Sequence, residues 1–347
     1  MRRIKWGVIG CGGIADRRTI PGMMKAQNAE LVAVMDVNPE LAEKCREKYG
    51  AKYAFTDENE LLALDEIEAV YIATPVFCHK RQAMAAASAK KHVFLEKPVG
   101  LNAAEAREIA DFCDAQGVKL GVGFVMRFHD FHVQMKDAIA SGRLGDIVSA
   151  RAQFTCWYPE MKGVWRQDKK LSGGGALMDM GIHCVDLIRF ITGLEVTAVD
   201  GMIGNQVFNY SVEDAGAMLM RLSNGAVAYV DANFNIPDDA AVCKLEFYGT
   251  KGSFFAEGTI AQDEAGVAIL READPTAGYD AAQNRSGAEP VKLVGGGGNL
   301  YTKEIEAFGN AVINDSPVPV NARDAILSQA AVEAAYLSSQ TQKTVTF

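Results

Sequence analysis

The chain has 347 residues, more than one hydrophobic core serves, so two domains are expected. Its apolar fraction of 49% and charged fraction of 23% are those of an ordinary globular protein, and its net charge of -9, with no cluster of Lys and Arg, argues against nucleic-acid binding. Seven cysteines, odd in number and without a C-x-x-C spacing, read as reduced thiols and not as a disulfide frame or zinc ribbon.

In chain order, Arg2-Arg3 is reminiscent of a twin-arginine signal, but too few apolar residues follow to form a signal core. No apolar stretch approaches a membrane span, so a cytoplasmic protein with no membrane partner is expected. Short apolar runs at 4–10, 30–36, 69–75, 92–98 and 119–125 predict buried strands. Helical patterns at 39–50, 78–91 and 102–117 lie among them, with Gly50 and Gly117 as stops and Asn102 as an N-cap. This alternation predicts a doubly wound parallel sheet covered on both faces over residues 1–125. From 126 to 347 the rhythm changes. A helix at 128–141 is followed by strand patterns at 147–158, 196–204, 214–223, 226–236 and 243–249. Asn224-Gly225 supplies the positive-φ turn of a hairpin. The second domain is thus α+β with a large, mostly antiparallel sheet, a surface loop at 271–298 and two closing helices near 300–314 and 321–339.

GCGGIA (10–15) follows the first strand and opens a helix. Gly10 permits the tight turn, Gly12 lets a pyrophosphate approach the backbone, and Ala15 leaves room for packing. The helix start offers N–H groups to phosphates. Asp36 ends the second strand, where its carboxylate accepts ribose hydroxyls and repels a 2′-phosphate. Val37 follows in place of a cation, so NAD is favoured over NADP.

Ligands of doubly wound sheets bind beyond the carboxyl ends of the strands, which places Thr74-Pro75 with His79, and Glu96-Lys97-Pro98, at the cofactor crevice. Further on, GGGALMDMGIHCVDL (173–187) sets Asp179 and His183 four residues apart on one helix face. The glycines are expected to allow a tight turn and a close approach of backbone to ligand. Asp186 extends the pair to a D-x-x-x-H-x-x-D string with metal-ligand geometry. His129 and His132 read as substrate-loop or surface residues, and His92 as structural.

Together GCGGIA, DVNPE (36–40), ATPVFCH (73–79), EKPVG (96–100), WRQDKKLSGGGALMDMGIHCVDL (165–187) and the domain order resemble the Gfo/Idh/MocA family over nearly the whole chain. The resemblance implies an N-terminal Rossmann domain, a C-terminal domain on an open sheet, nicotinamide and substrate between them, and homodimers or homotetramers. It implies Lys97, Asp179 and His183 as the catalytic set, and Lys97–Pro98 as a cis candidate. Gly10, Gly12, Gly13, Ile14, Asp36, Thr74, Pro75, His79, Glu96 and Lys97 are implied as cofactor-binding. Arg127, Trp165 and Arg166 match positions that meet substrate or a neighbouring subunit's cofactor. No metal is implied.

The chemistry fits. Alcohol oxidation needs a base for the hydroxyl proton as hydride leaves, and histidine titrates near neutral pH. A lysine ammonium stabilises developing alkoxide charge, and the sequence leaves both Lys97 and His183 open as the group that takes the proton, with Asp179 orienting substrate hydroxyls or His183. The expected activity is an NAD-dependent dehydrogenase or reductase of a sugar, sugar derivative or cyclitol. Two other readings are transient sugar oxidation in glycoside cleavage, with NAD held tightly, and a non-catalytic dinucleotide sensor.

Overall fold

The computed structural model describes residues 2–276, 278–283 and 289–347. The chain forms two compact units that are not contiguous in sequence: Met1–Val125, Gly163–Gly173 and Gly298–Ala330 make the first, and the remainder makes the second. The helix expected near 300–314 and the Trp165-Arg166 segment therefore belong with the first unit, not with the residues around them in sequence.

In the first unit, β1 (Ile4–Ile9), β2 (Ala29–Met35), β3 (Tyr53–Phe55), β4 (Ala69–Ile72), β5 (His92–Leu95) and β6 (Leu120–Val122) form a parallel sheet in the order β3-β2-β1-β4-β5-β6. This is the Rossmann arrangement, whose direction of winding reverses between β1 and β4. The helix caps act as their sequence suggests. Asn38 accepts the Glu40 N–H, Asn102 accepts the Glu105 N–H, and Gly50 and Gly117 take left-handed conformations. Strand β3 and the short helix Glu58–Leu62 were not expected, because three to five residues are too few to show a period. The core centres on an aromatic layer of Trp6, Tyr71, Phe94 and Phe308, with ring centroids 5.2–6.3 Å apart. Phe308 reaches it from the helix Leu300–Ile313, and Gly121 leaves the space its ring occupies.

In the second unit, β7 (Ile147–Thr155), β8 (Val196–Gly204), β9 (Ala215–Leu222), β10 (Val227–Asn233), β11 (Lys244–Gly249), β12 (Gly252–Glu257), β13 (Val267–Glu272), β14 (Val291–Lys292) and β15 (Val345–Thr346) form one sheet. The order is β14-β13-β12-β11-β7-β10-β9-β8-β15, antiparallel except where β10 runs parallel to β7. Its two faces read directly from the registers. The row Met218, Val230, Ala152, Leu245, Ala256 and Ala268 is buried, and the helix Ile182–Thr192 packs on that side. The neighbouring row Leu219, Tyr229, Arg151, Glu246, Phe255 and Ile269 lies on the open face.

Strands β12 to β15 lie outside the strand patterns read from the sequence, and the loop expected at 271–298 holds the end of β13 and all of β14. Ala277 and residues 284–288 of that loop lie outside the described residues. The β9–β10 hairpin forms as expected, but only Gly225 takes a positive φ, +91°. Asn224 instead uses its side chain, accepting the Ala226 N–H and donating to the Ile147 carbonyl.

Candidate active site

The glycine-rich turn leaves β1 at the reversal point of the first sheet. Gly10 has φ +96°, and a Cβ there would lie 3.0 Å from the Ala73 backbone, so only glycine lets the two loops close up. Gly12 and Gly13 face open space. A Cβ on either would find no atom within 4 Å, which is the room a pyrophosphate needs. Ile14 and Ala15 lead into a π-helical turn, Ala15–Thr19, continued by Ile20–Met23. Asp36 sits at the end of β2 and supports the turn: its Oδ2 accepts the Cys11 N–H at 2.9 Å and its Oδ1 the Asn38 N–H at 2.9 Å. Each oxygen keeps a lone pair for a ribose hydroxyl. The residues present thus fit a dinucleotide.

His79 lies between the ends of β4 and β5. Its Nε2 lies 2.9 Å from the Thr74 carbonyl and its Nδ1 3.0 Å from the Pro98 carbonyl. Burial holds the ring neutral, with its pKa down to about 4, so one N–H serves either carbonyl. His79 thus donates to one of the two, the Thr74 or the Pro98 carbonyl, and packs against the other; the Lys97–Pro98 peptide bond is cis. Thr74 donates to Gln82 Oε1. Glu96 accepts the Tyr71 hydroxyl at 2.6 Å. Burial raises the Glu96 carboxyl pKa against the opposing pull of that bond and of the Lys97 and Arg166 charges. Arg166 stacks on Trp165, 4.5 Å from its ring centroid.

In the second unit, Asp179 lies in a π-helical turn, Leu177–Gly181, which feeds the α-helix Ile182–Thr192 carrying His183. Four residues span most of a π turn as they do of an α turn, so the two side chains stay on one side. His183 is buried edge-on against Phe154, with ring centroids 6.1 Å apart. The glycines before this helix do not make room for a ligand as expected. A Cβ on Gly174 would strike the Tyr336 hydroxyl, and one on Gly175 the Glu213 backbone. Glu213 also caps the helix from a distance. Its carboxylate accepts the N–H groups of Gly175 (2.8 Å) and Leu177 (3.0 Å) and the Tyr336 hydroxyl (2.6 Å), and its carbonyl accepts Ala176 N–H. The helix has no side-chain cap of its own at Ala176. Burial raises the Glu213 carboxyl pKa, and these bonds oppose the rise.

Several expected site residues are placed otherwise. Arg127 is buried, and its Nε and Nη2 bond Asp186 at 2.8 and 2.6 Å, with its guanidinium over the Phe190 ring. This ion pair gives both residues a structural partner, in place of the substrate contact read for Arg127 and the metal string read for Asp186. His129 and His132 are buried rather than on a loop surface. His129 caps the helix Asp130–Ala140, and His132 spans the Met126 carbonyl and the Thr259 hydroxyl. Glu213 and Tyr336 were missed. The only trace of Glu213 in the sequence is a pair of carboxylates, Glu213-Asp214, ahead of an apolar strand.

An open glycine turn at the reversal point, with a carboxylate at the next strand end, defines a dinucleotide-binding site. Residues 4–124 match the family described as oxidoreductases with an NAD-binding Rossmann fold, and residues 132–255 match the GFO/IDH/MocA C-terminal domain. The chain belongs to the GFO/IDH/MocA oxidoreductase family. It is 28% identical over 329 residues to the 1,5-anhydro-D-fructose reductase of Ensifer adhaerens, covering 94% of this chain and 93% of that one. It is 29% identical over 261 residues to the myo-inositol 2-dehydrogenase of Thermotoga maritima, covering 72% and 74%. The fold superposes on the aldose-aldose oxidoreductase of Caulobacter crescentus with a TM-score of 0.89 at 22% identity, covering all of both chains.

Proposed function

We propose that the protein transfers hydride between NAD and a hydroxyl- or keto-bearing carbon of a sugar, sugar derivative or cyclitol. The open turn at Gly12 and Gly13 beside Asp36 carries the cofactor half of this reading. The relatives named for an anhydrosugar and an inositol support the substrate class. Asp36 favours NAD, since its charge opposes a 2′-phosphate and the exposed Val37 offers no cation in compensation. When bound, the nicotinamide takes up or returns the hydride. Lys97, as the ammonium, stabilises charge developing on the substrate oxygen. In this reading His183 exchanges the hydroxyl proton, and Asp179 orients substrate hydroxyls or His183. Trp165 and Arg166, stacked as a pair, are assigned to the substrate side, and Arg127 is not.

We assign self-association, as a homodimer or homotetramer, to the open sheet face around Leu219 and Tyr229. The seven free thiols support a reducing, cytoplasmic setting.

The test is to supply NAD+ or NADP+ with a panel of aldoses, uronic acids, inositols and glycosides and to follow reduced-cofactor fluorescence. The expected result is NADH formation with a sugar or cyclitol. In Lys97→Ala and His183→Ala kcat is expected to fall by about a thousandfold, with NAD affinity kept. No reduction across the panel, or a preference for NADP, would overturn the reading.

A further inference from the structure

Glu304 lies on the helix Leu300–Ile313, one turn before Phe308 of the aromatic layer. It is 2% exposed, and its Oε1 has no hydrogen-bond partner. Phe308 packs on Phe94 with ring centroids 5.2 Å apart, and Phe94 lies two residues before Glu96 on the same side of β5, so Glu304, one turn earlier on the helix, lies toward the Glu96 end of that strand. Glu96 in turn ends a continuous hydrogen-bonded chain: Thr19 and Tyr71 hydroxyls 2.9 Å apart, then Tyr71 to Glu96 at 2.6 Å. Thr19 closes the π turn after the glycine-rich loop. The chain thus runs from the phosphate end of the cofactor site to its Glu96-Lys97 end, with Glu304 behind it.

Tyr71 on β4 donates to Glu96, and Tyr301 lies three residues before Glu304 on its own helix. Lys97 and Arg166 bear on Glu96, and Arg17 and Arg18 on Tyr301. Glu304 has no hydrogen bond or ion pair to any of them among the described residues. Two carboxyls close together and shielded from water cannot both ionise freely. Glu96 has a hydroxyl donor and two cations, and Glu304 has none. Burial and the Glu96 charge drive the Glu304 carboxyl toward its protonated form.

We propose that Glu304 is the proton-bearing partner of Glu96, and that it lets the site tell oxidised from reduced cofactor. The proposal rests on Glu96 facing the nicotinamide end, as in the function proposed above. NAD+ carries a positive charge on its nicotinamide ring, whereas that ring is neutral in NADH. Binding of NAD+ favours ionisation of the pair, so the Glu304 proton leaves for solvent. NADH binding leaves the proton in place. No electron moves in this step. By linkage, NAD+ affinity rises with pH, by up to about tenfold per unit for one full proton, and NADH affinity stays flat.

Calorimetric titration with NAD+ and with NADH, in HEPES and in Tris, reads the protons released from the difference in buffer ionisation heat. Wild type should release protons with NAD+ alone, and Glu304→Gln with neither. The pH dependence of NAD+ affinity should vanish in that variant. Infrared difference spectra of the wild type need no variant: a protonated-carboxyl stretch should be lost on adding NAD+ and kept on adding NADH. Equal release with both dinucleotides, release undiminished in Glu304→Gln, or an unchanged carboxyl stretch would overturn the linkage alone. Failure to bind either dinucleotide would overturn the cofactor reading and the linkage with it.

Discussion

The turns GCGG (10–13) and GGG (173–175) are alike in composition, and each is followed by a π-helical turn. They differ in what occupies the space of the missing side chain. A Cβ on Gly12 or Gly13 meets nothing, whereas one on Gly174 or Gly175 collides with Tyr336 or with Glu213. The first turn keeps its space for a ligand. The second gives its space to the protein, which fixes the start of the helix that carries Asp179 and His183. A run of glycines marks a close approach without saying what approaches.

The sharpest way to break this contrast is to add one methyl group to each turn. Gly175→Ala forces its Cβ into a backbone atom that has little freedom to move. It should cost about 3 kcal/mol, read as a lowered thermal midpoint by calorimetry. Gly12→Ala should leave the midpoint within a degree or two but weaken NAD binding by about thirtyfold, roughly 2 kcal/mol, in a fluorescence titration. If Gly175→Ala melts like wild type, the packing role assigned to the second turn is wrong.

A smaller effect is expected for Glu213→Gln. The amide keeps one acceptor where the carboxylate has two, so one N–H at the helix start, or the Tyr336 hydroxyl, loses its partner. The loss should be about 1–2 kcal/mol in chemical denaturation, with kcat falling more than KM changes if the helix start positions Asp179 and His183. A variant with wild-type stability and kcat would show that the cap is dispensable.

A graded effect, spread over pH, compares the two units through their buried histidines. The pKa of His79 in the first unit is lowered to about 4, and that of His132 in the second to about 3, both chiefly by burial. Each binds its proton more readily unfolded, near pH 6.5, than folded. Their contribution is therefore fully present above pH 6.5 and is lost as pH falls from there toward 4. The slope is at most about 1.4 kcal/mol per pH unit for each ring. Denaturation midpoints measured from pH 7 to pH 4.5 should fall, and His132→Gln should flatten the curve. An unchanged slope in the variant would assign the acid sensitivity to other groups.

Local signals were legible because their physics is local. Asn102 caps the N–H three residues on, Gly117 ends the same helix in a left-handed conformation, and Gly225 turns a hairpin. Each requirement is satisfied within a few residues. The same holds for GCGGIA and for Asp36 at the next strand end. Other features stayed out of sight because the partner is far along the chain. The Arg127–Asp186 pair spans 59 positions, and Glu213 meets Gly175 across 38. Short elements such as β3 and β14 have too few residues to show a period.

By itself, then, the sequence determined the doubly wound parallel first sheet, the mostly antiparallel second sheet and the glycine-rich turn after β1. Repetition and capping are written in neighbouring residues. Tertiary structure alone decided that the helix Leu300–Ile313 completes the first unit, that His79 sits between two strand ends, that Arg127 pairs with Asp186, and that Glu304 is buried without a partner for its Oε1 among the described residues. Each of these depends on residues distant in the chain. Burial sets the strength of such contacts, and burial exists only once the chain has folded.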